Sequence, residues 1–99
     1  MYGQVTTVEF DSSVQRERAL RLIGATVQRT RAMSGFQAAY YLDVDELHII
    51  VVTIFDSEDD LDAIRGEDES LRRRASEIGV RFLSANEYPV VAFAMTGAP

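Results

Sequence analysis

Cysteine, lysine and tryptophan are absent from this sequence of 99 residues, and histidine occurs only once. Without cysteine, the chain can form neither a disulfide framework nor a thiolate zinc site. A single histidine cannot anchor a usual zinc site, so we expect no metal. The glycines are isolated along the chain, which excludes a glycine-rich phosphate loop. These absences argue against metalloenzymes and against nucleotide-binding enzymes.

Positive charge is also scarce, because 10 basic residues stand against 16 acidic ones and the formal net charge is -6. This balance opposes the counterion release on which affinity for nucleic acids depends. No stretch approaches the roughly 18 apolar residues of a membrane span, and the N-terminal residues do not resemble a secretory signal. We therefore expect a cytoplasmic protein that binds neither nucleic acid nor a membrane.

The length and composition are those of one globular domain, residues 1–99. Hydrophobic residues make up 46% of the chain and charged residues 26%, which is ordinary for a folded protein. A domain of this size buries only about 60 to 65% of the surface of its unfolded chain, so a lone subunit is marginally stable. Association with other copies is therefore an available route to further stability.

The first half of the chain predicts a strand followed by a helix. Tyr2–Phe10 alternates and is rich in β-branched residues, which is typical of a strand. Ser12 and Gln15 have the spacing of a capping box, and a helix is predicted from about Val14 to Met33. Its apolar face is expected to consist of Leu20, Ile23, Val27 and Thr30.

Two strands joined by a short turn should follow. Gly35 ends the helix, and the second strand is predicted over Phe36–Leu42. Asp43–Glu46 has the composition of a hairpin turn, and Leu47–Phe55 carries the strongest strand signal in the chain. The sequence therefore predicts an antiparallel hairpin at this point.

A second helix and a last strand complete the pattern. Ser57 is a predicted N-cap, Gly66 is expected to break or bend the helix, and Gly79 to end it. Val80–Met95 should be extended, with an interruption around Asn86–Pro89 because proline cannot donate to a strand ladder. The element order βαββαβ indicates an α+β fold with a four-stranded antiparallel sheet and two helices on one face.

The third strand does not alternate between apolar and polar residues. One of its faces offers Ile50, Val52 and Ile54, while the other offers Leu47, Ile49, Val51 and Phe55. Burial of each large apolar side chain is worth roughly 1.5 to 3 kcal/mol, so a sheet face that stayed exposed would forgo a large part of the stability. We therefore expect a homodimer that packs through the sheet face left free by the helices.

The segment Met33-Ser34-Gly35-Phe36 and the end of the third strand, Val51–Glu58, resemble those of the dimeric α+β barrel superfamily with its ferredoxin-like fold, and within it the antibiotic-biosynthesis-monooxygenase type of domain. The resemblance implies a homodimer without a cofactor, with a cavity between sheet and helices that takes an aromatic or polyketide-like compound. Two departures concern the chemistry. Ser34 replaces the proline of the usual Pro-Gly-Phe step, and Phe55 stands where the family commonly has a tryptophan.

His48 is the predicted catalytic residue, because it is the only side chain whose ordinary pKa lies near neutrality and can serve as a general acid or base. The alternative is a structural imidazole near the start of an apolar strand. Both interpretations stay open on the sequence alone.

The predicted ligand pocket consists of Tyr40, Tyr41, Phe55 and Asn86. Tyr40 and Tyr41 lie on opposite faces of one strand, so one of them should point between sheet and helices, where its hydroxyl can donate to a carbonyl or phenol. The alternative for the tyrosines is aromatic packing in a core or dimer seam, and for Asn86 a turn beside Pro89.

Two functions fit these observations. One is a homodimer that binds a small aromatic molecule and carries out oxygenase or isomerase chemistry, as the resemblance implies. The other is a non-catalytic dimer, sensing a ligand or mediating an interaction, whose cavity is filled by its own side chains.

Overall fold

A computed structural model describes residues 1–63 and 65–94, and for residues 22, 23, 26, 27, 65–68 and 71 it describes the backbone only. The elements in chain order are β1 (Tyr2–Phe10), α1 (Ser13–Arg31), β2 (Phe36–Asp45), β3 (His48–Phe55), α2 (Glu58–Asp62), α3 (Arg65–Glu77) and β4 (Val80–Pro89). Among these described elements, no helix combines the length and apolar character needed to cross a membrane.

The four strands form one sheet in the order β2-β3-β1-β4, with every neighbouring pair antiparallel. The two central strands are β1 and β3, and the split pairing of β1 and β2 around β3 is the ferredoxin-like arrangement. The predicted α+β fold is therefore confirmed, although its second helical region consists of two helices, α2 and α3.

Alternation along β1 defines the two faces of the sheet. Val8 and Phe10 are almost completely buried under the helices, and Gln4 and Thr6 on the same side are 9% exposed. Cross-strand partners share a face, so Ile49, aligned with Val8, also points toward the helices and is 2% exposed. We call this side the helix-covered face and the other side the open face.

Among the side chains that the structure describes, the hydrophobic core falls into two clusters. The larger cluster contains Val8, Phe10, Ala19, Ile49, Ala75 and Val80, with Val51, Ile78 and Phe82 packed against it. The smaller cluster contains Phe55 and Leu61, with Met33 and Phe36 packed against it. Phe36 and Phe55 meet edge to face with ring centroids 5.7 Å apart. The two clusters lie near opposite ends of the helix-covered face.

The predicted stop and start signals are mostly confirmed. Gly35 and Gly79 both adopt positive φ, at 81° and 77°, as expected of glycines that follow a helix. The Ser57 hydroxyl accepts from the backbone N–H of Asp60 at 3.2 Å and caps α2. Ser12 is also an N-cap, but its hydroxyl bonds the side chain of Gln15 rather than the backbone, so the predicted capping box is not formed.

The predicted hairpin turn was placed too early. β2 continues to Asp45, and the turn consists of Glu46 and Leu47 only. Acidic side chains are accommodated at the end of this strand because Asp43 pairs with Arg16 of α1 and Asp45 with His48 of β3. Arg16 is distant in sequence from Asp43, whereas His48 lies three residues after Asp45, on the other side of the turn.

The interruptions predicted in the second half also lie elsewhere. The helix is broken before Gly66, between Asp62 and Arg65, and Gly66 lies inside α3. β4 runs without a break to Pro89 at the edge of the sheet, and its irregularity is a register shift after Phe82. The predicted end of the extended region, at Met95, lies outside the described residues.

The predicted apolar face of α1 is only partly correct. Ala19 is buried at 2% exposure, whereas the neighbouring Leu20 is 39% exposed. The side chains of Ile23 and Val27 lie outside the described part of the chain.

We predict that Gly35→Ala destabilises the fold and that Gly24→Ala does not. At Gly35, a side chain meets both a positive φ and the carboxylate of Asp60, and the backbone alone costs about 1–2 kcal/mol. The thermal midpoint should fall by about 4–16 °C at fixed protein concentration. Gly24 lies in α1 with no described atom within 4 Å of the new methyl group, so alanine should raise the midpoint slightly. Equal midpoints for the two variants would contradict the strain assigned to Gly35.

Candidate functional site

A belt of polar side chains separates the two apolar clusters on the helix-covered face. We define the polar belt as Gln4, Thr6, Tyr41, Thr53 and Glu87. In the strand register, Gln4 aligns with Thr53 on one side and with Glu87 on the other, while Thr6 and Tyr41 both align with Val51. The belt therefore crosses the whole sheet in two adjacent rows.

The apolar clusters fix the position of the belt. Thr53 stands two residues before the buried Phe55, and Thr6 stands two residues before the buried Val8. Residues at a spacing of two share a face, so the strands that anchor each cluster carry the polar groups between them. A register shift of one residue would turn the belt to the open face.

Three of the five belt residues, Gln4, Thr6 and Thr53, have hydrogen-bonding capacity that the described residues do not use. Gln4 and Thr6 are 9% exposed, yet neither they nor Thr53 makes a side-chain hydrogen bond to the described residues. Arg16 Nε is the one fully enclosed side-chain polar atom without a partner in the described part of the chain. The amide of Gln4 and the hydroxyls of Thr6 and Thr53 are therefore not among the fully enclosed polar atoms. Because buried polar groups normally find partners, these groups are suited to bind a molecule from outside the chain.

Small residues complete the two rows. Ala39 lies beside Thr53, and Ala85 lies beside Thr6. Four strands about 4.8 Å apart and two rows about 7 Å apart give a footprint of about 14 by 7 Å.

Tyr41 stands at the edge of the belt on strand β2. It is 38% exposed, and partial burial raises the pKa of its phenol, which therefore stays protonated and can donate at neutral pH. Two residues further along the same face, Asp43 accepts from Arg16 at 2.9 Å and ties β2 to α1. The phenol thus occupies the outer end of the belt, between a closed core and solvent.

The predicted site residues are divided between the two faces. Tyr41 and Phe55 lie on the helix-covered face, where Phe55 is completely buried in the smaller cluster and exposes no surface to a ligand. Tyr40, His48 and Asn86 lie on the open face, aligned with Val52, Glu9 and Val5. The backbone of the sheet therefore separates His48 from Tyr41 within one subunit.

Four belt residues were not singled out from the sequence: Gln4, Thr6, Thr53 and Glu87. Gln4 and Thr6 look like the ordinary polar positions of an alternating strand. A signal was available in their phase, because both share the parity of Val8 and Phe10, which are apolar. A polar pair on the apolar side of a central strand is a mark of a site rather than of a core.

His48 belongs to an ionic cluster at one end of the open face, which we define as Glu9, Asp11, Asp45, His48 and Arg81. Its Nδ1 lies 2.7 Å from Asp45 Oδ1, and its Nε2 lies 3.0 Å from Glu9 Oε2. Arg81 bridges Glu9 and Asp11. Hydrogen bonds to Asp45 and Glu9 raise the pKa of His48 and favour the imidazolium.

The pKa values of two carboxylates in this cluster, Glu9 and Asp45, are lowered. The hydrogen bond from Arg81, followed by that from His48, lowers the pKa of Glu9, and the hydrogen bond from His48 lowers the pKa of Asp45. The two ring nitrogens of His48 point away from each other, so its carboxylates cannot converge on one ion. In the described part of the chain, no group of three or more His, Asp or Glu side chains is arranged to hold a metal.

We predict that Thr6→Val stabilises the protein and that Val8→Thr destabilises it, although both lie on the same face of β1. The Thr6 hydroxyl has no partner among the described residues, so its removal should raise the free energy of unfolding by about 0.5–1 kcal/mol. A hydroxyl at Val8 enters a closed apolar cluster and should cost about 1–3 kcal/mol. Urea unfolding measures both values. A similar loss in both variants would show that Thr6 is structural.

Comparison with known proteins supports this fold and leaves the chemistry open. The sequence matches no protein-family model and no curated protein. A candidate antibiotic biosynthesis monooxygenase from Deinococcus radiodurans shares the fold with a TM-score of 0.83 and 16% identity, covering 98% of this chain and 100% of that one.

Two further solved structures extend this likeness. A dimeric ferredoxin-like protein from an uncultured marine organism has a TM-score of 0.71 at 18% identity, covering 96% of this chain and 99% of its own. The monooxygenase ActVA-Orf6 of Streptomyces coelicolor, in complex with Nanaomycin D, has a TM-score of 0.69 at 19% identity, covering 96% and 92%. The resemblance predicted from the sequence is therefore confirmed at the level of the fold, and the chain has the ferredoxin-like α+β fold of antibiotic-biosynthesis-monooxygenase-like proteins.

Proposed function

We propose that this protein is a homodimeric small-molecule-binding domain whose ligand lies on the polar belt, between sheet and helices. The observation that carries the proposal is the division of the core among the described side chains. A domain of this size gains most by one continuous apolar core, yet here polar groups occupy the middle of the covered face. Such an arrangement lowers stability and is expected where a site needs it.

The chemistry of the belt favours an aromatic or polyketide-like ligand. Gln4 offers both a donor and an acceptor, Thr6 and Thr53 offer hydroxyls, and Tyr41 offers a phenolic donor. Phe36, which is partly exposed beside the buried Phe55, adds apolar surface near one end of the belt. A molecule that carries carbonyl or hydroxyl groups on fused rings meets these partners. ActVA-Orf6, which shares the fold, is a monooxygenase in complex with Nanaomycin D, and this supports the same class of ligand here.

A catalytic role, of the cofactor-independent oxygenase or isomerase type, is a further part of the proposal, with Tyr41 as the donor that faces the ligand. His48 remains a predicted acid or base, but it lies on the open face and reaches a ligand only at the surface between two subunits. This separation favours the second candidate, a ligand-sensing dimer without turnover. A cytoplasmic location also stays a prediction.

The open face gives the reason to propose a dimer. Val5, Ile50, Val52 and Ile54 form its centre and are only partly buried within one subunit, and Tyr40 beside Val52 is 49% exposed. Covering such side chains gains roughly 25 cal/mol per Å² of apolar surface. A second copy presents the same apolar surface, so packing about a two-fold axis buries the open faces of both subunits against each other. The shared fold of a dimeric ferredoxin-like protein supports this occupant.

We predict that Tyr41→Phe weakens binding of Nanaomycin D, used as a probe, about three- to tenfold, because one hydrogen bond is lost. Tyr40→Phe is the matched control, since the neighbouring phenol lies on the open face. Calorimetric titration measures both affinities. Oxygen uptake on addition of the probe distinguishes turnover from binding. An equal effect of both substitutions, or binding of the probe to neither the wild type nor a variant, would count against the belt as the site.

We predict that Val52→Asp dissociates the dimer, whereas Val14→Asp leaves it intact. Val52 lies at the centre of the open face, and an unpaired carboxylate buried there twice by symmetry should weaken association by about 100-fold or more. Val14 is an exposed residue of α1 and tolerates the charge. Sedimentation velocity gives the mass of each variant. A wild-type protein that sediments as a monomer would refute the proposed dimer.

A further inference from the structure

The ionic cluster on the open face holds together only when His48 is doubly protonated. Both ring nitrogens of His48 lie within hydrogen-bond distance of a carboxylate oxygen, one from Asp45 and one from Glu9. A neutral imidazole has one N–H, so one of the two nitrogens would turn a lone pair toward a carboxylate. The observed arrangement is therefore that of the imidazolium, and loss of its proton must break one of the two contacts.

Every charged group that the structure describes near the ring belongs to the same small network. Glu9 comes from β1, Asp45 from β2 and Arg81 from β4, and Asp11 follows β1 and bonds Arg81. Glu46 in the adjacent turn is directed elsewhere, because it accepts from Ser13 at the start of α1 at 2.7 Å. His48 is thus the one member of the cluster whose charge changes near neutral pH.

The net charge of the cluster determines the free energy that is needed to remove it from water when a partner covers it. With the imidazolium, two cations and three carboxylates leave one net negative charge, and with neutral His48 they leave two. Removing charge from water costs free energy that grows roughly with the square of the net charge. A partner that covers this end of the sheet therefore favours the protonated cluster, and its binding raises the affinity of His48 for a proton.

We propose that His48 is a pH-sensitive switch for self-association: the dimer forms through the open face when the ring is an imidazolium and weakens when the ring is neutral. The switch rests on the proposed dimer, because it requires a second copy on the open face. The cluster flanks the apolar centre of that face, since His48 precedes Ile50 on the same side of β3 and Glu9 follows Val5 on the same side of β1.

The direction of the effect follows from proton linkage. The pKa of His48 is already raised in the single subunit by Asp45 and Glu9, and covering the cluster raises it further. Protonation of His48 therefore stabilises the dimer. This contribution is complete at pH values below the pKa of His48 in the single subunit, and it is lost as the pH rises through the higher pKa of His48 in the dimer. The pH range over which the dimer weakens therefore begins above the ordinary histidine pKa of about 6.5.

The test is sedimentation equilibrium of the full chain from about pH 6 to about pH 9, with circular dichroism to show that the protein stays folded. Each unit by which dimerisation raises the pKa of His48 changes the dissociation constant tenfold per subunit, or about 100-fold for two. The wild-type dimer should weaken by this order across the range. His48→Gln should associate weakly at every pH, and His48→Arg, which keeps the positive charge, should associate tightly at every pH.

The outcomes separate the switch from the dimer on which it rests. A wild-type dimer whose dissociation constant does not change with pH would overturn the switch and leave the dimer intact. A His48→Arg variant that follows the wild-type pH curve would also overturn it, because another group would then be responsible. A monomer at every pH, in wild type and variants alike, would overturn the dimer and the switch together.

Discussion

Because β1 and β3 form the centre of the sheet, every side chain that they carry is committed to one of two faces, and a slip of one residue in their pairing would exchange the two. Val8 aligned with Ile49 builds the core on one side, while Glu9 aligned with His48 builds the ionic cluster on the other. The hydrophobic clusters hold this register, since the opposite one would expose them. The belt, the open face and the cluster all depend on that single alignment.

The polar belt and the proposed dimer are linked through stability. A domain of 99 residues has little apolar surface to spare, and here the middle of its covered face is occupied by Gln4, Thr6 and Thr53. The open face of the same sheet carries Ile50, Val52 and Ile54, which are only partly buried in one subunit. A partner that covers these side chains would add the apolar burial that the core lacks. A subunit that keeps a site at its centre therefore has a physical reason to associate, because association restores the apolar burial that the site has displaced.

The order of elements could be predicted because its signals are local, whereas the site could not because its signals are tertiary. Alternation in Tyr2–Phe10 and the glycines after each helix act within a few residues, and both were interpreted correctly. Asp43 looks like part of a turn until Arg16 of α1 is brought beside it. Within β1 the parity of Val8 and Phe10 indicates which side faces the helices, but Tyr41, Thr53 and Glu87 join the belt only through the pairing of the strands.

The position of the only histidine shows that residue type alone does not assign a function. Composition singles out His48 as an acid or base, yet the strand that carries it turns Ile49 and Val51 toward the helices and His48 away from them. Its two nitrogens are engaged by Asp45 and Glu9, so it has no free lone pair for a ligand while it is protonated. Its proton can therefore act on the charge of the open face, and through that on a second subunit, without reaching the belt on the far side of the sheet.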